Sequence, residues 1–245
     1  MQRIKCTVAY DGSPFAGYQV QPGKRTVQQE IEKALSAIHK GDQVKITASG
    51  RTDAGVHAKG QVFHFDTGLS IPQEKWPTVL NSKLPPEIVV TSAEEVEEGF
   101  HARFSAMKKE YRYSVYQTKT ADPFKRDFAL HYPFPLNIEE MRRAAEFLIG
   151  EHDFTSFCSA KTEVEDKVRT IHSIEIEANE EEITFSYIGN GFLYNMVRIL
   201  SGTLLDVGRG KSKAEEVKIM LEAKDRGTAG KTAAPQGLYL WKVFY

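Results

Sequence analysis

The sequence predicts an α+β protein built as two similar halves that share a mainly antiparallel sheet. Three observations predict it. Apolar alternation and helical periodicity follow one another in the order strand, helix, strand, strand, helix, strand, and that order is read twice, as two ferredoxin-like βαββαβ-type units. The helical stretches open on capping residues. No Pro/Gly/Ser-rich linker separates the halves, so they are expected to share one continuous sheet or a tight interface. The joint falls within residues 100–107, which divides the 245 residues into 1–105 and 106–245.

In the first half, Ile4, Cys6, Val8 and Tyr10 alternate, and Asp11, Gly12, Ser13 and Pro14 end that strand in a loop. A helix follows from Thr26. Thr26 and Gln29 have capping-box spacing, and Val27, Ile31, Ala34, Leu35 and Ile38 recur at helical intervals. Residues 44–47 read as a short strand and 61–66 as the next, joined by a glycine-bounded loop. "PQEKWPTVLNSKLPP" is a Pro-bounded helix, and "EIVVTSAEEV" is strand-like.

In the second half, residues 110–117 form an aromatic strand. Asn137 and Glu140 cap a helix running through Leu148 to Gly150. Residues 167–177 and 182–188 alternate as paired strands. Leu193, Val197, Leu200 and Leu204 keep helical spacing up to Gly208, Ser212 and Glu215 open a further capped helix, and "GLYLWKVFY" is a strand.

A hydrophobic share of 41% with 27% charged residues suits a globular protein with a full core. No run approaches the roughly 18–20 apolar residues of a membrane span, and residues 1–5 lead straight into a strand, so a cytoplasmic location is expected. Cys6 and Cys158 stand far apart without a CxxC, which argues against a disulfide framework and a cysteine zinc site. The net charge is −1, but it is unevenly spread. Residues 103–126 carry Arg103, Lys108, Lys109, Arg112, Lys119, Lys125 and Arg126 against Glu110 and Asp122, interleaved with Phe104, Tyr111, Tyr113, Tyr116 and Phe124. Such a run is compatible with a nucleic-acid face and with ordinary solvated faces.

"SGRTDAGVHAKGQVFHF", residues 49–65, concentrates the chemistry. Gly50 and Gly55 are expected to supply positive φ around Arg51, Thr52 and Asp53. Local rules leave two roles open for Asp53: a turn residue bonding nearby backbone, or a presented carboxylate kept ionised by Arg51. His57 and His64 lack metal-ligand spacing, and no metal site is expected. Tyr111 and Tyr113 share a strand face. Tyr113 reads as core, and Tyr111 as a candidate stacking surface for an unstacked base. Arg198 lies on an otherwise apolar helix and requires a partner if buried: Asp53, Asp206 or a surface acid. Phosphate-loop, dinucleotide and nucleophile-elbow motifs are missing, so no nucleotide cofactor is expected.

Together the stretches "YDGSPFAGYQVQP", "SGRTDAGVHAKGQVFHF", "FHARFSAMKKEYRYSVY", "HDFTSFC", "VRTI", "FLYNMVRILSGTLLDVG" and "APQGLYL" resemble, in order and over nearly the whole chain, the TruA-type tRNA pseudouridine synthases. The resemblance implies two α+β halves around a central catalytic cleft. It implies isomerisation of uridines at positions 38, 39 and 40, on the 3′ side of the tRNA anticodon stem-loop, to pseudouridine. A homodimer gripping one tRNA is implied, with no cofactor. Asp53 matches the essential aspartate, as nucleophile or base, and Arg51 the residue held near it. Tyr111 matches the tyrosine that contacts the target base, and Arg198 the arginine that pairs with Asp53. His57, Phe192, Asn195 and Leu238 fall among the implied substrate-binding positions, with Tyr111 and Arg51. Two departures are the near-neutral charge and Ala234, where relatives often carry a second proline.

Overall fold

The alternation at residues 4–10 becomes strand β1 (Gln2–Tyr10), which enters a loop at Asp11, in a computed structural model that describes residues 1–162 and 164–245. The chain then forms helix α1 (Val27–Ile38), strands β2 (Thr47–Ala48) and β3 (His57–Thr67), helix α2 (Trp76–Asn81) after a single 3₁₀ turn, and strand β4 (Ile88–Val96). It continues through β5 (Lys108–Tyr116), β6 (Leu130–His131), helix α3 (Ile138–Glu146), β7 (Gly150–Asp153), β8 (Val168–Ala178) and β9 (Glu182–Gly189). Helices α4 (Met196–Gly208) and α5 (Glu216–Ala223) precede the closing strand β10 (Leu238–Phe244).

The described residues fall into two units. One is Met1–Met107 with Tyr239–Tyr245, and the other is Lys108–Leu238. The division expected at 105/106 lies close to the first boundary. The closing strand, however, expected in the second half, returns to the first unit, because β10 pairs in parallel with β3 at Tyr239↔His57 and Leu240↔Ala58.

In the first unit β1 lies between β3 and β4, antiparallel to both. Alternation along β1 buries Ile4, Cys6, Val8 and Tyr10, while β3 is buried on both faces over most of its length. Strand β4 is guarded by α2: Asn81 Nδ2 donates to the Val90 carbonyl at 2.9 Å, and its Oδ1 accepts the Val90 N–H at 2.8 Å. One side chain thus takes the hydrogen bonds a neighbouring strand would make. Trp76 fills the space beneath, fully buried and edge-on to Phe65 at 5.1 Å between ring centres. Burying a side chain of that size stabilises the fold by about 2–3 kcal/mol.

The second unit orders its antiparallel strands β5-β9-β8-β7, with β6 parallel to β5. Helix α4 is buried along almost its whole length, and α3 packs against it and β8. Asn137 caps α3 as predicted, accepting the Glu140 N–H at 3.2 Å, but the helix ends at Glu146 rather than Leu148. Gly150, with φ +113°, turns the chain into β7.

Three local expectations are corrected. Thr26 does not cap α1 with its side chain: Oγ1 is buried and finds no hydrogen-bond partner among the described residues. Residues 44–46 are not strand, because Glu32 Oε1 on α1 accepts the Ile46 N–H at 3.3 Å and draws that backbone to the helix. Ser212 does not cap α5; instead Glu216 Oε2 reaches back to the Lys213 N–H at 2.9 Å. No helix among the described residues is long and apolar enough to cross a membrane.

Candidate active site

Asp53 sits in a tight turn, half-buried between buried Thr52 and exposed Ala54, with exposed Arg51 two residues before it. The Val56 N–H closes the turn on the Asp53 carbonyl at 3.1 Å. Gly55, third in the turn, has φ +75°, as a type II turn requires. Gly50, in contrast, does not adopt the left-handed conformation expected of it.

The turn is gripped from beneath. Buried Thr52 places Oγ1 2.8 Å from the Tyr10 hydroxyl, and its carbonyl accepts the Tyr18 N–H at 3.0 Å. Fully buried Gln61 accepts from Ser49 Oγ at 2.6 Å and donates to the Gly50 carbonyl at 2.9 Å. From the other side the first loop presses on the turn's exit. A Cβ on Gly12 would lie 2.0 Å from the Val56 carbonyl oxygen, so only glycine fits there.

His57 is almost fully buried at the start of β3. Its Nδ1 accepts the Gly12 N–H at 3.0 Å and lies 3.3 Å from Asp11 Oδ1, while its ring stacks on Tyr239 at 4.7 Å. Burial pushes the Tyr239 phenol up to about 12, with the Asp11 carboxylate acting in the same direction. The imidazole thus braces the loop, β3 and β10 against one another. His64 instead secures the segment after β4, where its Nδ1 accepts the Ala102 N–H at 3.1 Å, and burial lowers its pKa. Among the described residues no group of three or more His, Cys, Asp or Glu is placed to hold a metal ion.

The second unit gathers most of the other predicted residues. Tyr111 is buried on β5, edge-on to Phe192 with ring centres 5.2 Å apart. Asn195 precedes α4 in the left-handed conformation, φ +61°, and its Oδ1 accepts from Arg198 Nη1 at 2.9 Å rather than from a helix N–H. Arg198 Nε donates to the Ala233 carbonyl at 2.7 Å, and the Ala233 N–H returns a bond to the Arg198 carbonyl at 3.0 Å. Asp206, one of the acids considered for Arg198, holds Lys211 at 2.6 Å instead. Close approach makes this seam possible, because a Cβ on Gly202 would lie 1.9 Å from the Lys231 carbonyl oxygen. Leu238 is buried where β10 begins. Tyr113 is core, as predicted, with its hydroxyl on the Ala234 carbonyl at 2.8 Å.

The basic run is less open than its composition suggests. Arg112 pairs with Glu110 at 2.7 Å, Lys125 with Glu182 at 2.7 Å, and Arg126 with Asp127 at 3.0 Å. Arg103, Lys108 and Lys119 are exposed. Sequence reasoning missed Tyr10, Thr52 and Gln61 around the Asp53 turn. A Gln within a run of otherwise apolar and aromatic strand residues was the available signal.

Comparison with known proteins identifies the family. The family described as tRNA pseudouridine synthase matches residues 7–105 and 144–245, which include the whole Asp53 turn and all of α4; Tyr111 lies between the two stretches. "tRNA pseudouridine synthase A" of Bacillus subtilis is 61% identical over 244 residues, covering 99% of each chain. Proteins of the same name from Anoxybacillus flavithermus and a Geobacillus species are 59% and 57% identical, covering 100% of this chain and 99% and 98% of theirs. A solved Cbf5-Nop10-Gar1 complex overlaps 96% of this chain and 57% of that chain, at 12% identity and a TM-score of 0.38, too slight a likeness to carry an argument. With two long matched stretches and near-complete coverage of its relatives, the chain belongs to the tRNA pseudouridine synthase family.

Proposed function

We propose that the protein isomerises uridines in the anticodon stem-loop of tRNA, at positions 38 to 40, to pseudouridine, with Asp53 as the reactive carboxylate. The observation that carries this reading is the Asp53 turn, which presents one half-buried carboxylate on a backbone held by buried hydrogen bonds. The reaction breaks the N1–C1′ bond and joins C5 to the same sugar carbon. It is redox-neutral and transfers no phosphate. A carboxylate near C1′ and C2′ serves it in either of two ways: by adding to C1′, or by removing the C2′ proton to give a glycal.

In this reading the uridine leaves the stack, at a cost of a few kcal/mol. Exposed Arg51 helps hold it out, Tyr111 contacts the base, and Arg198 is the arginine that the resemblance assigns to the reactive carboxylate. Phe192 and Asn195 set the positions of Tyr111 and Arg198. Excluding water keeps the sugar intermediate from being hydrolysed before the uracil rejoins it through C5. The protein works without a cofactor, in the cytoplasm, as a homodimer whose two subunits grip one tRNA.

The test is pseudouridine mapping in an unmodified tRNA transcript. Asp53→Asn is expected to keep tRNA binding and form no pseudouridine. Near wild-type formation by that variant would overturn the assignment.

A further inference from the structure

We infer that Tyr10 is a positioning residue for Asp53: its phenol anchors Thr52 and so fixes where the carboxylate points. The inference rests on the reading of Asp53 just given. Thr52 is the one buried residue between Gly50 and Gly55, and both its hydroxyl and its carbonyl are engaged. The hydroxyl meets Tyr10 at 2.8 Å, and the carbonyl accepts the Tyr18 N–H at 3.0 Å. Gln61 Oε1 accepts from Ser49 Oγ and from the Val62 N–H at 3.1 Å, and Nε2 holds the Gly50 carbonyl. Two sets of hydrogen bonds therefore tie the turn to the sheet: Tyr10 ties residue 52 to β1, and Gln61 ties residues 49 and 50 to β3.

The strand geometry places the phenol there. Val8 pairs with Gln61, but Tyr10 pairs with Ala58, because the register shifts between Val8 and Tyr10. Such an irregularity re-aims a side chain, and here it lies at the foot of the Asp53 turn. A phenylalanine would fill the same volume, and a buried hydroxyl must recover its desolvation through the bonds it makes. That recovery comes from Thr52, inside the turn. A buried, fully engaged network resists the displacement of about 1 Å that misaligns a reacting group.

The test is steady-state kinetics on an unmodified tRNA transcript. Tyr10→Phe is expected to lower kcat by about 10- to 100-fold, with KM and tRNA affinity within about twofold of wild type. Thr52→Val breaks the same hydrogen bond from the other side and gives the same loss. The double variant is expected to be no slower than either single variant. Thr52→Val also carries the test if Tyr10→Phe does not fold. Wild-type kcat in a folded Tyr10→Phe or Thr52→Val variant overturns the inference, as does a rise in KM alone or fully additive losses. Full activity of Asp53→Asn would sink the underlying reading as well, whereas full activity of Tyr10→Phe alone sinks only this inference.

Discussion

At the Asp53 turn, side chains reach in from strands: Gln61 grips the Gly50 backbone and Tyr10 the Thr52 hydroxyl. At the start of α4 the direction reverses, and the side chain of Arg198 reaches out to grip the backbone of Ala233. The first arrangement closes through backbone atoms, from the Val56 N–H to the Asp53 carbonyl, and leaves its acid half-buried on a rigid turn. The second uses the charged group itself as a strut. A mutation at the first site can therefore disturb reactivity while leaving the acid in place, whereas a mutation of Arg198 removes charge and support together.

The largest effect is expected where backbone meets backbone. Gly12→Ala drives a methyl group into the Val56 carbonyl and is expected to cost about 1–3 kcal/mol and more than roughly 100-fold in turnover. Gly202→Ala makes a comparable clash with Lys231 and is expected to cost similar stability, read from denaturant midpoints. The comparison breaks if Gly202→Ala slows turnover more than Gly12→Ala.

Arg198→Lys sharpens the contrast next. A lysine cannot span Asn195 and Ala233 with a rigid fork, so stability is expected to fall by about 1–2 kcal/mol while positive charge is retained. An unchanged denaturation midpoint would show that the strut is dispensable.

The smallest effect lies away from both sites. Arg3 holds Asp66 through two bonds, 2.7 and 2.8 Å, and the Arg3 hydrogen bonds lower the Asp66 pKa. A depressed carboxylate pKa stabilises the fold above its unfolded value, about pH 4, and that contribution is lost as pH falls through the folded value. Asp66 is 44% exposed, so screening keeps the effect to under about 1 kcal/mol. Acid titration of stability in Asp66→Asn should lack this component, whereas the wild-type profile should show it.

Where local pattern decides structure, the sequence was legible. The alternation in β1 and the spacing of Val27, Ile31, Ala34 and Leu35 on α1 are read directly as burial. Legibility failed where a distant group took over a local bond. Glu32 removed residues 44–46 from the sheet, and the four residues of β7 are too few to show a period. The same holds at the site. Asp53, Arg51, Tyr111 and Arg198 were singled out from motif and resemblance, but nothing local pairs Thr52 with Tyr10, 42 positions away, or Arg198 with Ala233. Gly50 was misread because glycine permits positive φ without requiring it.

The return of β10 to the first unit has a consequence for synthesis. Tyr239, which stacks on the imidazole bracing the first loop, is made only after the entire second unit. At roughly 5–20 residues per second, the nascent chain spends on the order of ten seconds with β3 lacking that neighbour. During this interval the His57 end of β3 offers an unpaired edge, and the Asp53 turn lacks one of its braces. A chain released before residue 239 has every residue of the turn but not its final support, so readiness of the site waits on synthesis of β10.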